Sequence, residues 1–548
     1  MNLLVRNARL RGRDQLVDIG IEQGRIAAVA PDLAASAAQT IDAAGDLVVP
    51  GFVNLHLHAD KALLGEEMRP NVSGTLPEAI EITNEFKRKY DPSEVAQRAS
   101  RVVEAGISNG TTFFRLFADV GTIGSLRAAR GLLLVREKYR SCCDIQVVAF
   151  PQEGIVRDPG AAELLDEAIK LGCDVVGGLP WYEYTDEDAR RHIDICFELA
   201  KRHDRDVHML VDDTDDANSR SLEYLALKTM RDGFHGRVTA SHCGAMAGYN
   251  DVYAAKVIDM VATANVTISA NTHINLVCSA RIDREPRRRG IARVKELLAR
   301  GVNVVSSQDD VDDPYYPFGK PDQLEVALMM AHTAQLTLPH ELEQVLDMVT
   351  SNAARAARLP DYGIAPGNNA DLVVLGAPFP CAKRSACSRH AGMSSRTGER
   401  SRAPTSCRSC AYREAGMLTV VAAAIEVATG IVLMVAPSAF ARVLLGTGLS
   451  SAGQAVGRIA GFGLLSLGLA CWPKDRPAAG ATSGALASPA LLIYNLLITL
   501  YLAYVGIAGE LVGALLWPAV ALHAVFSAFL VRARFFKPKS CQHSGRMP

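Results

Sequence analysis

Apolar runs alternate with helix-length segments between residues 47 and 360. The runs have the length of buried strands in a parallel sheet. They lie at residues 47–53, 111–116, 144–150, 175–179, 206–211, 238–242, 266–270 and 302–305. The helical segments include 160–171, 186–203, 218–232, 251–264 and 290–300. Eight strands alternating with helices predict an α/β protein built on a (β/α)₈ barrel over residues 51–360.

The first 50 residues have a different pattern. Apolar and polar positions alternate at 3–10 and 18–26, and Gly and Asp turns separate these stretches. Alternation with period two is typical of strands that bury one face. The pattern predicts a small sheet in front of the barrel.

Apolar segments return after residue 417. Four of them, at about 417–436, 454–472, 488–508 and 511–531, are near the twenty residues that a helix needs to cross a bilayer. Lys and Arg cluster before the first segment, between the second and third, and after the fourth. The positive-inside tendency then puts both ends in the cytoplasm. We predict an α-helical bundle of four transmembrane helices over 417–532 in the inner (cell) membrane, followed by a basic tail at 533–548.

Residues 379–416 join the two apolar parts. They are rich in Arg, Ser, Cys and Ala, and they show neither a helical nor a strand period. Such a composition predicts a disordered basic linker. We interpret the abrupt change as translation in a shifted reading frame. The spacing of its four cysteines matches no standard zinc site.

Composition restricts the class of partner. A net charge of −1 over 548 residues argues against a nucleic-acid partner that is bound by neutralising phosphates. The N-terminus has no apolar stretch after a basic start, so no signal peptide is expected. The cysteines before residue 380 have no disulfide-like spacing. Residues 1–380 are therefore expected in the cytoplasm, their charge is compatible with a small-molecule partner, and a homo-oligomer is left open.

Candidate metal ligands lie at the ends of the predicted barrel strands. His56 and His58 follow the first strand, His208 lies on the fifth, His242 ends the sixth, and Asp309 follows the eighth. Side chains two apart on a strand point to the same face. Imidazoles and a carboxylate at one rim suit a single divalent ion with a position left for water. Taken alone, a histidine at a strand end is more often structural, and an acidic pair such as Asp309-Asp310 is usually solvated; the metal site is predicted because all of them fall at the same rim.

Several strings then point to a family. They are Phe-Pro-Gln-Glu-Gly at 150–154, Val-Thr-Ala-Ser-His at 238–242, Arg-Arg-Gly-Ile-Ala-Arg-Val-Lys at 288–295, Asp-Asp-Val at 309–311 and Asp-Tyr-Gly-Ile-Ala-Pro-Gly at 361–367. On these strings, residues 1–378 resemble the amidohydrolase superfamily, and within it bacterial cytosine deaminase and related heterocycle deaminases. The resemblance implies a distorted barrel and a small, incomplete β-sandwich made of residues 1–50 and 361–378.

The resemblance also implies a site and a reaction. His56, His58, His208 and Asp309 would bind one divalent metal ion, iron or zinc. Asp309 would also take a proton from the metal-bound water, and His242 would polarise that water. Gln152 would hydrogen-bond the edge of a cytosine-like ring, and Trp181 is either a wall for that ring or simple packing. The expected reaction is hydrolytic deamination, in which hydroxide attacks an amidine-like ring carbon and ammonia is released.

The chain departs from the family pattern at the proton carrier. The family has Glu three residues after the strand-five histidine, where this chain has Val211. We expect Asp212 or Asp213 to replace it, while a merely solvated acidic loop is the alternative. Gln308 also stands where the family usually has His. These changes keep open an aminohydrolase acting on a triazine- or creatinine-like ring.

Two further features bear on the reaction. The fourth predicted strand carries no lysine that could bridge two metals after carboxylation, which favours one metal and deamination. The break after residue 378 keeps open a third reading, in which a truncated, inactive enzyme domain is fused to a small membrane protein.

Overall fold

The computed structural model describes residues 1–376, 389–393, 428–445, 447–450 and scattered positions between 453 and 524. The chain divides into two compact units, Met1–Ala403 and Pro404–Pro548. The first unit contains two small sheets and a large parallel sheet.

The two small sheets are built from both ends of the first unit. One has the order β3-β2-β1-β4 and the other the order β15-β14-β5. Their strands are β1 (Leu3–Ala8), β2 (Val17–Glu22), β3 (Arg25–Ala30), β4 (Gln39–Asp42), β5 (Leu47–Pro50), β14 (Leu372–Gly376) and β15 (Arg389–Met393). Val48 and Leu372 share one apolar cluster with Leu3, Ile19 and Ile26. The sheets therefore pack on each other as a sandwich.

The predicted strand at 47–53 is divided between two sheets. Leu47–Pro50 pairs with β14, whereas β6 (Phe52–Leu57) pairs with the first barrel neighbour. Gly51 lies at the division, where a Cβ atom would come 2.2 Å from Oγ1 of Thr112. Only glycine allows this close approach, so the chain crosses from sandwich to barrel there.

The barrel consists of eight parallel strands, and its order follows the chain from β6 to β13. The remaining seven strands are β7 (Thr111–Asp119), β8 (Asp144–Phe150), β9 (Val175–Gly178), β10 (Asp206–Val211), β11 (Val238–His242), β12 (Thr267–Ser269) and β13 (Val304–Val305). Each overlaps one of the predicted apolar runs. The prediction of a (β/α)₈ arrangement is confirmed.

Helices surround the barrel, and the predicted helical segments each contain one. The helices of this unit are α1 (Leu76–Lys87), α2 (Pro92–Ser108), α3 (Arg127–Tyr139), α4 (Ala161–Leu171), α5 (Asp186–His203), α6 (Ser221–Asp232), α7 (Asp251–Ala264), α8 (Thr272–Cys278), α9 (Val294–Ala299), α10 (Gln323–Thr333), α11 (Pro339–Met348) and α12 (Ser351–Ala356). Short 3₁₀ turns at Pro180–Tyr182 and Gly244–Gly248 follow β9 and β11 at the rim.

The last and first barrel strands meet beyond the end of β13. The amide of Asp309 donates to the carbonyl of His56 at 2.8 Å, and the amide of His58 donates to the carbonyl of Asp309 at 2.8 Å. The hydroxyl of Ser307 accepts from the amide of Leu55 at 3.1 Å. These bonds nearly close the barrel and bring Asp309 beside the histidine pair.

The C-terminal predictions fall mostly outside the described residues. Strand β15 lies within the segment for which the sequence predicts no regular structure, and it pairs antiparallel with β14. In the second unit a helix spans Pro437–Leu445. Among the described residues, no helix combines the length and the apolar character that crossing a bilayer demands. Most of the four apolar segments lies outside those residues, so the membrane bundle stays a prediction.

Candidate metal centre and active-site cavity

The two histidines of the first barrel strand face each other. Nε2 of His56 lies 3.0 Å from Nε2 of His58. Both rings are buried, and Phe117 stacks on His56 with ring centroids 4.0 Å apart. Because two nitrogens with free lone pairs repel at this distance, the pair needs a shared proton or a cation between them.

Asp309 completes this corner of the site. One carboxylate oxygen lies 3.4 Å from Nε2 of His56 and 3.6 Å from Nε2 of His58. The other accepts a hydrogen bond from the amide of Asn271 at 3.0 Å. Asp309 has φ +66, a strained conformation for a residue with a side chain, and the barrel closure holds it there.

His242 lies opposite, also at a left-handed backbone position (φ +69). Its Nε2 is 3.3 Å from Asp309 and its Nδ1 is 3.5 Å from Asp213. Within the described part of the chain, neither ring nitrogen makes a hydrogen bond of normal geometry, although both are buried. Buried unpaired nitrogens are costly, so they mark a place for a ligand.

His208 is close to the cluster but is held differently. Its Nε2 lies 2.7 Å from the hydroxyl of Ser241, which is also 2.8 Å from Nδ1 of His56. Nη1 of Arg115 lies 3.2 Å from its Nδ1. Because arginine only donates, Nδ1 accepts and Nε2 carries the proton. In this arrangement His208 binds a metal through Nε2 only after losing that proton or moving away from Arg115.

Burial sets the charge of these rings. It lowers the pKa of His56, His58 and His208 well below the usual range, and the neighbouring positive groups add to the effect. Neutral imidazole is the form that binds metals. Burial also raises the pKa of Asp309 well above its ordinary value. A cation beside this carboxylate would reverse that shift.

The donor set fits a divalent metal ion. Ligand atoms of His56, His242 and Asp309 lie within 4.8 Å of one another, and so do those of His58, Asp309 and Asp310. Neutral imidazoles with carboxylates are ligands that zinc and iron(II) accept. The predicted ligands His56, His58 and Asp309 thus come together, with His208 alongside.

The acidic pair after β10 splits in two directions. Asp212 accepts hydrogen bonds from the hydroxyls of Ser219 and Tyr249 at 2.6 and 2.9 Å, and from the amides of Ser221 and Leu222 at 2.9 and 3.0 Å. Its carboxylate is therefore occupied at the start of α6 and is absent from the cavity lining. The structure disfavours Asp212 as the proton carrier.

Asp213 points the other way, into the cavity. It lines this space with His242 and Asp309, and its Oδ1 accepts from the amide of Asn275 at 3.1 Å. Burial raises the pKa of its carboxyl. A buried carboxyl with a raised pKa is suited to carry a proton at neutral pH.

Hydrogen-bond donors also line the cavity. Lys61, Gln152 and Trp181 line it, together with Leu179 and Tyr315. Nζ of Lys61 donates to Oε1 of Gln152 at 2.8 Å. The indole N–H of Trp181 has no partner among the described residues.

Lys61 remains charged although it is buried. Burial on its own lowers the pKa of Lys61, but Asp119 and Asp60 hold it well above the usual range. Asp119 accepts from Lys61 at 2.9 Å and from Lys87 at 3.0 Å, and Lys87 also donates to Glu153. The cation therefore faces the cavity with a fixed position.

Comparison with known proteins is decisive for the family. The model of the amidohydrolase family matches residues 39–385. The chain belongs to the amidohydrolase family. It is 30% identical over 390 residues to N-isopropylammelide isopropyl amidohydrolase of Pseudomonas sp. strain ADP. This alignment covers 69% of this chain and 92% of that protein.

Two further amidohydrolase-like relatives are informative. Pterin deaminase of Rhizobium rhizogenes is 30% identical over 66% of this chain and 82% of its own length. The structure of 5-methylcytosine deaminase from Klebsiella pneumoniae with 5-fluorocytosine is 36% identical, with a TM-score of 0.66 over 68% of this chain and 91% of that chain. Family membership supports a hydrolytic enzyme.

Several residues of the site or next to it are not predicted to take part in it. Lys61 lies three positions after His58, and Asp310 follows Asp309, so proximity to a predicted ligand was the available signal. Asn271 and Asn275 lie in and next to a short helix after β12 and have no such signal. Ser241 lies one position before His242 within a recognised string.

Proposed function

We propose that this amidohydrolase deaminates a nitrogen heterocycle that carries an oxo group, of the cytosine type, by hydrolysis with release of ammonia. The observation that carries the proposal is the polarity of the cavity. The lining combines proton acceptors and carriers, Asp213, His242 and Asp309, with the Gln152 amide, whose oxygen is held by Lys61.

The hydrogen-bond donors that line the cavity favour a substrate with an oxo group. Lysine only donates, so the oxygen of the Gln152 amide faces Lys61 and its NH₂ group is left for the substrate. Lys61 is not a free second donor, because its three N–H groups already point to Gln152, Asp119 and Nδ1 of His58. A ring edge with a carbonyl oxygen or an unprotonated nitrogen pairs with the Gln152 amide, whereas an edge of N–H groups leaves that buried donor unpaired.

Asp213, His242 and Asp309 can transfer the protons that hydrolysis requires at the ring carbon that bears the amino group. One water is consumed: its oxygen bonds to the ring carbon and the C–N bond breaks. Asp309 accepts a proton from the attacking water, and His242 orients that water. Asp213 passes a proton to the ring nitrogen and then to the departing amine, so that one proton of the water stays on the ring and the other leaves with ammonia.

The metal enters through the residues that would hold it. We assign this role to His56, His58 and Asp309, with His208 as the fourth predicted ligand. A divalent ion bound there lowers the pKa of water toward neutrality and so supplies a nucleophile.

A second candidate substrate is an oxo-triazine that carries an alkylamine. The similarity to N-isopropylammelide isopropyl amidohydrolase over 92% of that protein favours it. Such a ring presents the same oxo edge to Gln152, and only the departing amine differs. The two candidates differ in the size of the leaving group, because an alkylamine needs more space in the cavity than ammonia.

A substrate panel tests the proposal. The full chain is supplied with zinc or iron(II) and given cytosine, 5-methylcytosine, N-isopropylammelide, pterin and creatinine. Release of ammonia from an oxo-aminopyrimidine supports the first candidate, and release of isopropylamine supports the second. Absence of amine release from every ring would contradict both.

A further inference from the structure

A buried carboxylate outside the catalytic cluster joins two rim segments of the barrel. Glu183 follows the 3₁₀ turn after β9, and its Oε1 accepts from the amides of Ile155 and Val156 at 2.6 and 3.0 Å. Its Oε2 accepts from the amide of Arg157 at 2.9 Å. Three successive N–H groups of the segment after β8 therefore converge on one side chain, a backbone arrangement suited to an anion.

The approach of the two segments is close. Gly154 has φ +88, and a Cβ atom there would lie 2.8 Å from Oε1 of Glu183. Gln152, which lines the cavity, precedes this glycine by two positions. The carboxylate thus anchors the chain immediately after the residue that faces the substrate.

His192 of α5 extends the connection to the other segment. Its Nδ1 lies 2.7 Å from Oε1 of Glu183, and its Nε2 accepts from the amide of Leu179 at 3.0 Å. Since a backbone amide only donates, Nε2 is the acceptor and Nδ1 carries the proton. Leu179 and Trp181 line the cavity, so one hydrogen-bonded pair contacts both the segment that carries Gln152 and the segment that carries Trp181.

An outer contact reinforces the same junction. The guanidinium of Arg157 donates to the carbonyl of Tyr182 at 2.8 Å and lies 4.2 Å from the centre of its ring. Burial would raise the pKa of Glu183, but the hydrogen bonds from His192 and the backbone hold it below the usual range. The carboxylate is therefore charged at neutral pH.

We propose that Glu183 and His192 are positioning residues that set the separation between Gln152 and Trp181, and thereby the orientation of the substrate ring. The inference rests on the proposed function, because it concerns the same cavity. Neither residue lines that cavity, so both act through the segments they hold. A displacement of about 1 Å at a reacting group costs roughly 100-fold in rate.

Substrate selectivity is the measurement that separates positioning from folding. Glu183→Gln removes the charge, and His192→Asn keeps a donor for Glu183 while removing the acceptor for the Leu179 amide. For each variant, kcat/KM is measured on cytosine and on 4-aminopyrimidine, which lacks the oxo group read by Gln152. The ratio of the two values does not depend on the amount of folded enzyme.

We expect the oxo-ring preference to fall roughly 10-fold or more in both variants, mainly through KM, with metal content unchanged. Binding of uracil, measured by calorimetry, should weaken in parallel. Asp166→Asn is the matched control, because Asp166 accepts a hydrogen bond from His203 of the same helix α5 at 2.7 Å but does not line the cavity. The control should keep the wild-type ratio.

The outcomes are distinct. A wild-type ratio in both Glu183→Gln and His192→Asn would overturn the positioning role, even if both variants melt at lower temperature. A wild-type enzyme that releases no amine from any ring would instead overturn the proposed function and this inference with it.

Discussion

Oδ1 of Asp213 lies 3.5 Å from Nδ1 of His242, while the adjacent Asp212 is turned into the start of α6. This relationship makes Asp213 the candidate for the role of the missing glutamate. We expect Asp213→Asn to lower kcat by roughly 10²- to 10⁴-fold, as loss of a general acid does. Bound metal, measured by atomic absorption, should stay at the wild-type level.

Asp215→Asn is the control for this substitution. Asp215 lies in the same loop and caps the amide of Ala280 at 2.7 Å without lining the cavity. Full turnover in Asp213→Asn would remove the assignment.

Asp212 is predicted to matter for stability rather than for turnover. Replacing it by Ala leaves the buried amides of Ser221 and Leu222 without their acceptor. Each unsatisfied buried group costs about 1–3 kcal/mol. Urea unfolding should show a loss of at least that size, with kcat per folded molecule roughly unchanged. A stable variant with lost turnover would reverse the roles of the two aspartates.

Lys61→Met should weaken recognition of oxo-substituted rings. Lys61 holds the oxygen of the Gln152 amide at 2.8 Å and so turns its NH₂ group to the substrate. A hydrogen bond from a charged donor contributes about 1.5–3 kcal/mol, or roughly 10- to 100-fold in kcat/KM. Lys87→Met serves as the control, because Lys87 shares Asp119 with Lys61 but donates to Glu153 rather than Gln152. Both variants break a buried ion pair and lose stability, and only Lys61→Met should lose selectivity. An equal loss of selectivity in both would argue against this orienting role.

Ser241→Ala should weaken metal binding. The hydroxyl of Ser241 lies 2.8 Å from Nδ1 of His56, so it orients this predicted ligand while Nε2 of the ring faces Asp309. Loss of such an orienting partner typically lowers metal affinity 10- to 100-fold. Competition with a chromophoric chelator measures the change, and zinc or iron(II) in excess should restore turnover. An unchanged affinity would mean that neighbouring residues suffice to hold the rings.

Glu341 predicts a pH-dependent contribution to stability. Hydrogen bonds from the amide of Leu338 and from Lys295 lower the pKa of Glu341 from 4.5 to about 2. A depressed carboxyl pKa stabilises the folded state above the unfolded pKa, and this contribution is lost as pH falls from about 4.5 to about 2. Glu341→Gln should therefore lower Tm at pH 7, and the difference from wild type should shrink in that range. A Tm difference that is constant with pH would exclude this origin.

Much of the barrel follows from local pattern. Buried parallel strands need continuous apolar runs, so all eight strands could be read from the sequence. The apolar run at 47–53 predicts one strand, because nothing in its composition indicates where the chain changes sheets. The division at Gly51 is seen only in the structure, where Thr112 approaches the glycine closely. The pairing of β15 depends on long-range contacts within a segment of strand-poor composition.

The site was predictable where chemistry repeats at strand ends. His56, His58, His242 and Asp309 come together at one rim. The sequence could not choose between Asp212 and Asp213, because the direction of each side chain depends on the backbone turn at Asp212, which has φ +48. The sequence places Lys61 near the histidines but not its role, because that role depends on Asp119, which lies 58 positions away in the chain.

Because the chain crosses from sandwich to barrel at Gly51, a change that destabilises the sandwich also affects the first barrel strand. The peptide that leaves the sandwich at Pro50 becomes, without any intervening loop, the strand that carries His56. A lesion that loosens β14 removes the strand that pairs with β5 and so weakens the support of the strand that carries His56, a predicted metal ligand. We therefore expect truncations after residue 376 to reduce metal binding before they cause the barrel to unfold.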